Sequence, residues 1–321
     1  MIKKALRLAA AALLASVVAA PVAAAYPERA ITMVTPFPAG GATDGLARLL
    51  AEHMSKRLGQ SVVVENRAGA ATTIGASHVM RAEPDAYTIL LATNSTLVTN
   101  RFLFKELTYD PDAFAPIGMI GVGPMVLLSS KKTDFKSLDD VVQAAKADPG
   151  GLSIASFGAG TSSHLAAEYF QKLADIKLLH VPFKGSTQAL PQLISGDVDL
   201  FFDMVSTGMP QVDADKVSVH AITSRERMSS LPDLPTVGET YQGYEITAWF
   251  TLVAPPGTPD SHTKILSDAL KSTLADEDVK RRMLVMGIEP SDGSAQALKQ
   301  QIKQELPIIE SLVEQADIAM Q

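Results

Sequence analysis

Hydrophobic and polar positions along the chain fall into a recurring unit: a short β-rich run, a loop rich in glycine and hydroxyl residues, then an apolar stripe at helical spacing. The first run is 31–35, and PFPAGGATD leads from it into a predicted helix over 43–58, whose Leu46, Leu49, Leu50 and Met54 share one face. Residues 62–64 lead through ENRAGAATTIG into a second helix, and 88–91 lead into ATNST. After the glycine-rich stretch GMIGVGP at 118–124 the pattern restarts. Residues 152–156 pass through FGAGTSSH into a helix over 163–173, and 178–181 pass through PFKGST into a helix over 188–194. An apolar strand over 198–202 then ends at Asp203. Beyond a proline-punctuated loop around 231–235, the apolar run 246–254 precedes PPGTP and several helices. The last helix carries Leu298, Ile302, Leu306 and Ile309 at helical spacing, with a kink expected at Pro307.

Strands alternating with helices predict an α/β fold with mostly parallel sheets covered on both faces. Two such series predict two lobes. A C-terminal block of helices completes the first lobe, so the chain is expected to cross twice, near 118–126 and 244–254. The expected lobes are 26–120 with 250–321, and 121–249.

Residues 1–25 read as a secretory signal, with Lys3, Lys4 and Arg7, an apolar run over 8–20 and a cleavage point after Ala25. The apolar run is followed by Pro21 and falls short of the roughly 18 to 20 residues that span a bilayer. An exported, soluble, periplasmic chain is expected, and the absence of cysteine excludes a lipid anchor, a disulfide scaffold and a zinc ribbon. Losing the leader moves the net charge from -7 to -10, because 25 basic residues then face 35 acidic ones. So acidic a chain is a poor nucleic-acid binder.

In open parallel sheets ligands bind beyond the carboxyl ends of strands, which directs attention to PFPAGGATD and FGAGTSSH. Gly40, Gly41, Gly158 and Gly160 permit close backbone approach, Thr43, Thr161, Ser162 and Ser163 offer hydroxyls, and helix-start N–H groups favour an anion. Ordinary capping by Thr43, Asp44 or Ser162 is the competing explanation. Neither loop carries G-x-G-x-x-G or a G-K-[ST] ending, which argues against a nucleotide.

Ser163, His164 and Asp203 superficially supply a nucleophile, base and acid, so a secreted α/β hydrolase-like enzyme using Ser163 and His164 is the alternative function. Adjacent side chains at a helix start diverge, however, and there is no G-x-S-x-G elbow. His164 and Glu168 share a helix face, but no further ligands complete a metal site, and neither a metal nor a cofactor is expected. Phe37 and Phe183 lie beside prolines where they can flank a ligand body. Trp249 reads as core or hinge packing and Lys184 as a solvated charge.

The ordered segments YPERAITMVTPFPAGGATD, VVVENRAGA with AEPDAYTILLATN, GTSSHLAAEYF, VPFKGSTQALPQLISGDVDLFFD, TSRERMSSLPDLPTVGE and WFTLVAPPGTP resemble Bug-type proteins. These are the periplasmic solute-binding components of tripartite tricarboxylate transporters. The resemblance spans the mature chain and implies a two-lobed, type II periplasmic-binding-protein fold that closes over its ligand. It also implies a monomer that delivers a small carboxylate to a membrane permease. The ligand class stays open among di- and tricarboxylates, amino acids and aromatic carboxylates. Carried over by position, the implied ligand-binding residues are Phe37, Ala39, Gly40, Gly41, Asp44 and Asn94 in the first lobe. In the second they are Thr161, Ser162, Ser163, His164, Phe183 and Asp203, the last accepting from a ligand hydroxyl, ammonium or bridging water. The family pattern N-x-P-G-A-G-G is replaced by Asn66-Arg67-Ala68-Gly69-Ala70-Ala71-Thr72, and P-D-G-Y by Pro84-Asp85-Ala86-Tyr87. Losing glycine there matters if the loops need positive φ.

Overall fold

The computed structural model describes residues 26–315; the leader over 1–25, its cleavage point and residues 316–321 lie outside that range. β1 (Ile31–Thr35) lies between β2 (Val62–Asn66) and β3 (Thr88–Thr93), all parallel. Helix α1 (Ala42–Leu58) buries Leu46, Leu50 and Met54 completely, and α2 (Thr73–Met80) and the single turn α3 (Asn100–Leu103) follow β2 and β3. In the second half, β5 (Ser153–Ser156) pairs in parallel with β6 (Leu179–Pro182) and β7 (Leu200–Met204). Helices α4 (Leu138–Ala147), α5 (Ser162–Ala174), α6 (Ser186–Ser195) and α7 (Val205–Asp213) alternate with these strands.

What joins the halves is the long strand β4 (Ala115–Ser130). Its residues 115–124 pair antiparallel with β9 (Thr247–Ala254), which continues to β3, whereas 125–130 pair with β7 and with β8 (Val217–Ile222). The chain therefore changes sheets without leaving β4, and it returns between β8 and β9 through the short helix α8 (Val237–Thr240). Helices α9 (Asp260–Leu274) and α10 (Glu277–Val285), strand β10 (Glu289–Pro290) and helix α11 (Ala295–Gln315) close the chain on the first half-sheet. Pro307 sits within α11.

The glycine-rich stretch read as a break between the two series is thus the interior of a strand. A Cβ at Gly118 would overlap the Gly293 carbonyl oxygen, and one at Gly121 would overlap that of Glu289. Those glycines admit the segment around β10, where Ser291 N–H donates to Ile120 O at 2.8 Å. The strand expected over 198–202 runs Leu200–Met204, so Asp203 belongs to it and is not past its end.

Besides Asp134, Asp175 and Asp215, two loops hold L-residues at positive φ: Ala70, Ala71 and Thr72 at 44°, 47° and 79°, and Ala86 at 62°. These are the segments where the family pattern has glycine, and the strain expected from the sequence is present. Asn100 Nδ2 donates to Ala71 O at 2.8 Å and Thr96 Oγ1 to Thr72 Oγ1 at 2.9 Å, which hold the first loop in place.

Candidate ligand cleft

Three strands end in loops that open directly into helices: β1 into α1, β5 into α5 and β6 into α6. All three helix starts line one cleft between the half-sheets. Their N-cap residues, Gly41, Thr161 and Gly185, make no side-chain cap bond. No N-cap side chain therefore occupies these three helix starts, although Asp44 reaches back from within α1 to the Gly40 N–H. The first N–H groups of a helix have no intrahelical acceptor, and the macrodipole places partial positive charge on them. Three such ends converging on one volume attract an anion.

The loops before α1 and α5 share one construction. Gly40 and Gly160 take φ of 81° and 85°, and the third residue of each helix reaches back to brace that glycine. Gly40 N–H donates to Asp44 Oδ2 at 2.9 Å, and Gly160 N–H donates to His164 Nδ1 at 3.1 Å. Asp44 also accepts from Arg48 Nε and Asn66 Nδ2, both at 2.9 Å. Burial alone would raise its pKa, but the bonds from Arg48, Gly40 and Asn66 hold the carboxyl below the usual range. With Nδ1 accepting, the His164 proton is assigned to Nε2, which faces Glu168 at 3.5 Å. His164 stacks on His180 at 4.1 Å, and burial followed by the His164 charge lowers the His180 pKa to about 4.

Several hydroxyl hydrogens in and around the cleft are committed to the protein itself, whereas the lining residues Thr43, Thr93, Ser95 and Thr187 keep theirs uncommitted. Ser162 Oγ donates to Asn94 Oδ1 at 2.9 Å, Ser163 Oγ to Phe202 O at 2.6 Å, and Thr161 Oγ1 to Gly158 O at 2.7 Å. Ser186 Oγ and Thr207 Oγ1 donate to the two oxygens of Asp203 at 2.6 and 2.8 Å. Asp203 is fully buried, and burial pushes its pKa up to about 7. Asp203 thus braces the start of α6. Ser163 and His164 each bond elsewhere, so they do not form a nucleophile–base pair. Thr93 Oγ1 lines the cleft, is buried and has no partner.

The cleft is narrow, with a free cavity volume of about 30 Å³. Phe37, Phe157, Met204 and Phe250 supply its apolar wall, and none of the residues lining it is charged. Of the residues expected from sequence, the structure gathers Phe37, Gly41, Thr43, Thr161 and Ser162 around this volume. Phe183 and Lys184 line a neighbouring recess of about 230 Å³, which shares Phe37 and Phe157 with the cleft. Asn94 faces a third recess, under α11. Ala39 and Gly40 are exposed on the loop, while Asp44, Ser163, His164 and Asp203 are buried among the bracing bonds.

Sequence reasoning missed Thr93, Ser95, Phe157, Ser186, Thr187 and Phe250. Phe157 was legible, because FGAG repeats the spacing of FPAG at Phe37. Ser186 and Thr187 begin a helix after a glycine, the same signal as in the two chosen loops. Phe250 carries no such signal.

The family described as "Tripartite tricarboxylate transporter family receptor" matches residues 46–318. Among solved structures, a Rhodopseudomonas palustris protein, Rpa4515 with adipate, is 33% identical, with a TM-score of 0.90 over 92% of this chain and 100% of that one. The periplasmic binding protein BugD is 37% identical, with a TM-score of 0.87 over 92% and 100% of the two chains. MatC of the same Rhodopseudomonas species with bound malate is 31% identical, with a TM-score of 0.83 over 90% and 100%. The two-lobed fold is that of periplasmic binding proteins, and no helix among the described residues is long and apolar enough to cross a membrane. The chain belongs to the Bug-type receptor family of the tripartite tricarboxylate transporters.

Proposed function

We propose that this receptor captures a small carboxylate bearing an apolar body and passes it to the permease of a tripartite tricarboxylate transporter. Its carboxylate rests on the N–H groups at the starts of α1, α5 and α6, and its body lies against Phe37, Phe157, Met204 and Phe250. The observation that carries this reading is the convergence of three helix starts without side-chain caps on a cleft lined by no charged residue. Citrate or an amino acid would bring further charge into that apolar volume without a partner, at a cost of several kcal/mol for an unpaired ion (about 2 or more even when partly solvated). A dicarboxylate of adipate's length places its second end in the neighbouring recess beside Lys184. That solved relatives were described with adipate and with malate supports a carboxylate cargo.

In this reading the leader is removed after Ala25, and the mature monomer works in the periplasm as a binder, not an enzyme. Residues 26–120 with 250–321 form one lobe and 121–249 the other, and the lobes close on the ligand by a hinge motion. Calorimetric titration of the mature protein with adipate, benzoate, malate, citrate and glutamate tests the assignment. Adipate or benzoate should bind with one site per chain, tighter than citrate and glutamate by about tenfold or more, the equivalent of about 1.4 kcal/mol. Preference for citrate or glutamate would refute the apolar-body reading.

A further inference from the structure

Helix α11 lies on the first lobe, away from the cleft, yet its Glu305 joins a hydrogen-bond chain that ends at a helix start lining the cleft. Trp249 Nε1–H donates to Glu305 Oε2, and Asn94 Nδ2 donates to Glu305 Oε1 at 3.2 Å and to Thr247 O at 3.3 Å. With its amino group so occupied, Asn94 must turn its Oδ1 the other way. There it accepts the hydrogen of Ser162 Oγ at 2.9 Å. Asn94 follows β3 in the first lobe and Ser162 begins α5 in the second, so this last bond crosses between the lobes.

We infer that Glu305 and Asn94 are positioning residues that form a latch, in which Glu305 fixes the Asn94 amide so that it holds Ser162 and favours the closed state. The inference deepens the solute-binding reading and rests on it. Two features set Glu305 apart from a surface carboxylate. It is half-buried beside the indole of Trp249, itself fully buried, and it faces two donors that cannot accept. The ionised carboxylate accepts from both most strongly, because protonation turns one oxygen into a hydroxyl and weakens it as an acceptor. Burial raises the Glu305 pKa, against the bonds from Trp249, Asn94 and Gln301, so acid weakens the latch. Around it, β9 presents Trp249 and Thr247, α5 presents Leu165, and α11 presents Gln301 and Gln304. The other titratable side chain lining this recess is Glu245, which is paired with Arg225 at 2.8 Å.

Because the chain has no cysteine, a labelled pair is simple to install. Glu83→Cys and Lys146→Cys, both exposed and one in each lobe, can carry spin labels for interlobe distance measurement on the otherwise intact protein without ligand. Omitting ligand separates failure of the latch from failure of the ligand assignment. Glu305→Gln must point its own amino group at Asn94 or at Trp249, so it should reduce the ratio of closed to open molecules by about threefold or more, the scale of one neutral hydrogen bond. Ser162→Ala, which removes a single oxygen, should reduce it by the same factor, and the double variant should fall no further. Lowering the pH from 7 to 5 should reduce the closed fraction of the parent more than that of Glu305→Gln. Additive effects of the two substitutions, an unchanged ratio in Ser162→Ala, or a parent that is wholly open would each overturn the latch.

Discussion

Phe37 and Phe157 meet edge to face across the cleft, ring centroids 6.4 Å apart and planes inclined at 79°. They occupy matching places in the two twin loops, so each half-site contributes one ring. Both rings line the cleft at the helix starts and also the recess that holds Phe183 and Lys184. Phe157 also packs edge-on against the buried Phe201 at 5.4 Å, which fixes its orientation.

Truncating this pair should loosen the ligand's enclosure more than it harms the fold. Phe37→Ala is expected to weaken adipate binding by about 1 kcal/mol, the scale of an aromatic pair, mostly through faster release. Stopped-flow release rates for Phe37→Ala and Phe37→Leu measure this, and an unchanged rate in both would remove the ring from the ligand's wall.

If helix-start N–H groups anchor the carboxylate, Gly41 should matter more than Lys184. Gly41 has φ of -85°, and an added Cβ would meet only Pro38 O at 3.6 Å, so Gly41→Val is compatible with folding but fills the cleft. A loss above about 2 kcal/mol of affinity is expected there, against less than about 1 kcal/mol for Lys184→Ala, the range of an exposed charge. Titrations with adipate at low and high salt decide between them. A dominant, salt-steep loss at Lys184 would make a cation the anchor.

Asp203 predicts a pH dependence of stability. Its folded pKa of about 7 is raised above the ordinary carboxyl value of 3.8, so the folded state holds the proton more tightly than the unfolded one. The stabilisation from this group is fully present below pH 4 and is lost as pH rises through 7. His180 and His220, both lowered to about 4 by burial, act oppositely and lose stability as pH falls from 6.5. The comparison with Asp203→Asn isolates the carboxyl. Relative to that variant, the parent should lose on the order of 3 kcal/mol between pH 4 and 8 in urea unfolding. Parallel stability profiles would show that Asp203 does not titrate there.

At the loop that departs from the family pattern, Ala71→Gly should relieve strain, because Ala71 sits at φ of 47°. A gain of up to about 1 kcal/mol is expected, the left-handed penalty less the extra unfolded-state freedom of glycine. Thermal unfolding of the ligand-free protein measures it, and a lower midpoint would show that the methyl's contacts outweigh the backbone strain.

Much of this molecule is legible in its sequence because the relevant signals are local. Apolar spacing at 46, 49, 50 and 54 marks α1, glycine followed by hydroxyl residues marks the helix starts, and the alanines and threonine that replace glycine at 71, 72 and 86 mark the strained turns. What the sequence alone determined was therefore the strand–loop–helix series, the two glycine-rich loops that open into α1 and α5, the positive-φ positions and the family. Tertiary structure decided what each polar group has left to offer. Ser162 and Ser163 look like equal ligand donors in GTSSH, yet one hydroxyl is taken by Asn94 and the other by the Phe202 carbonyl, partners distant in sequence. Asp203 looks like a ligand acceptor until its oxygens are found holding Ser186 and Thr207. Gly118 and Gly121 look like a break between the two series until the backbone of 289–293 is found lying against them. Backbone periodicity is set by neighbours along the chain, but the fate of a hydrogen-bond donor or a missing side chain depends on whatever the fold brings beside it.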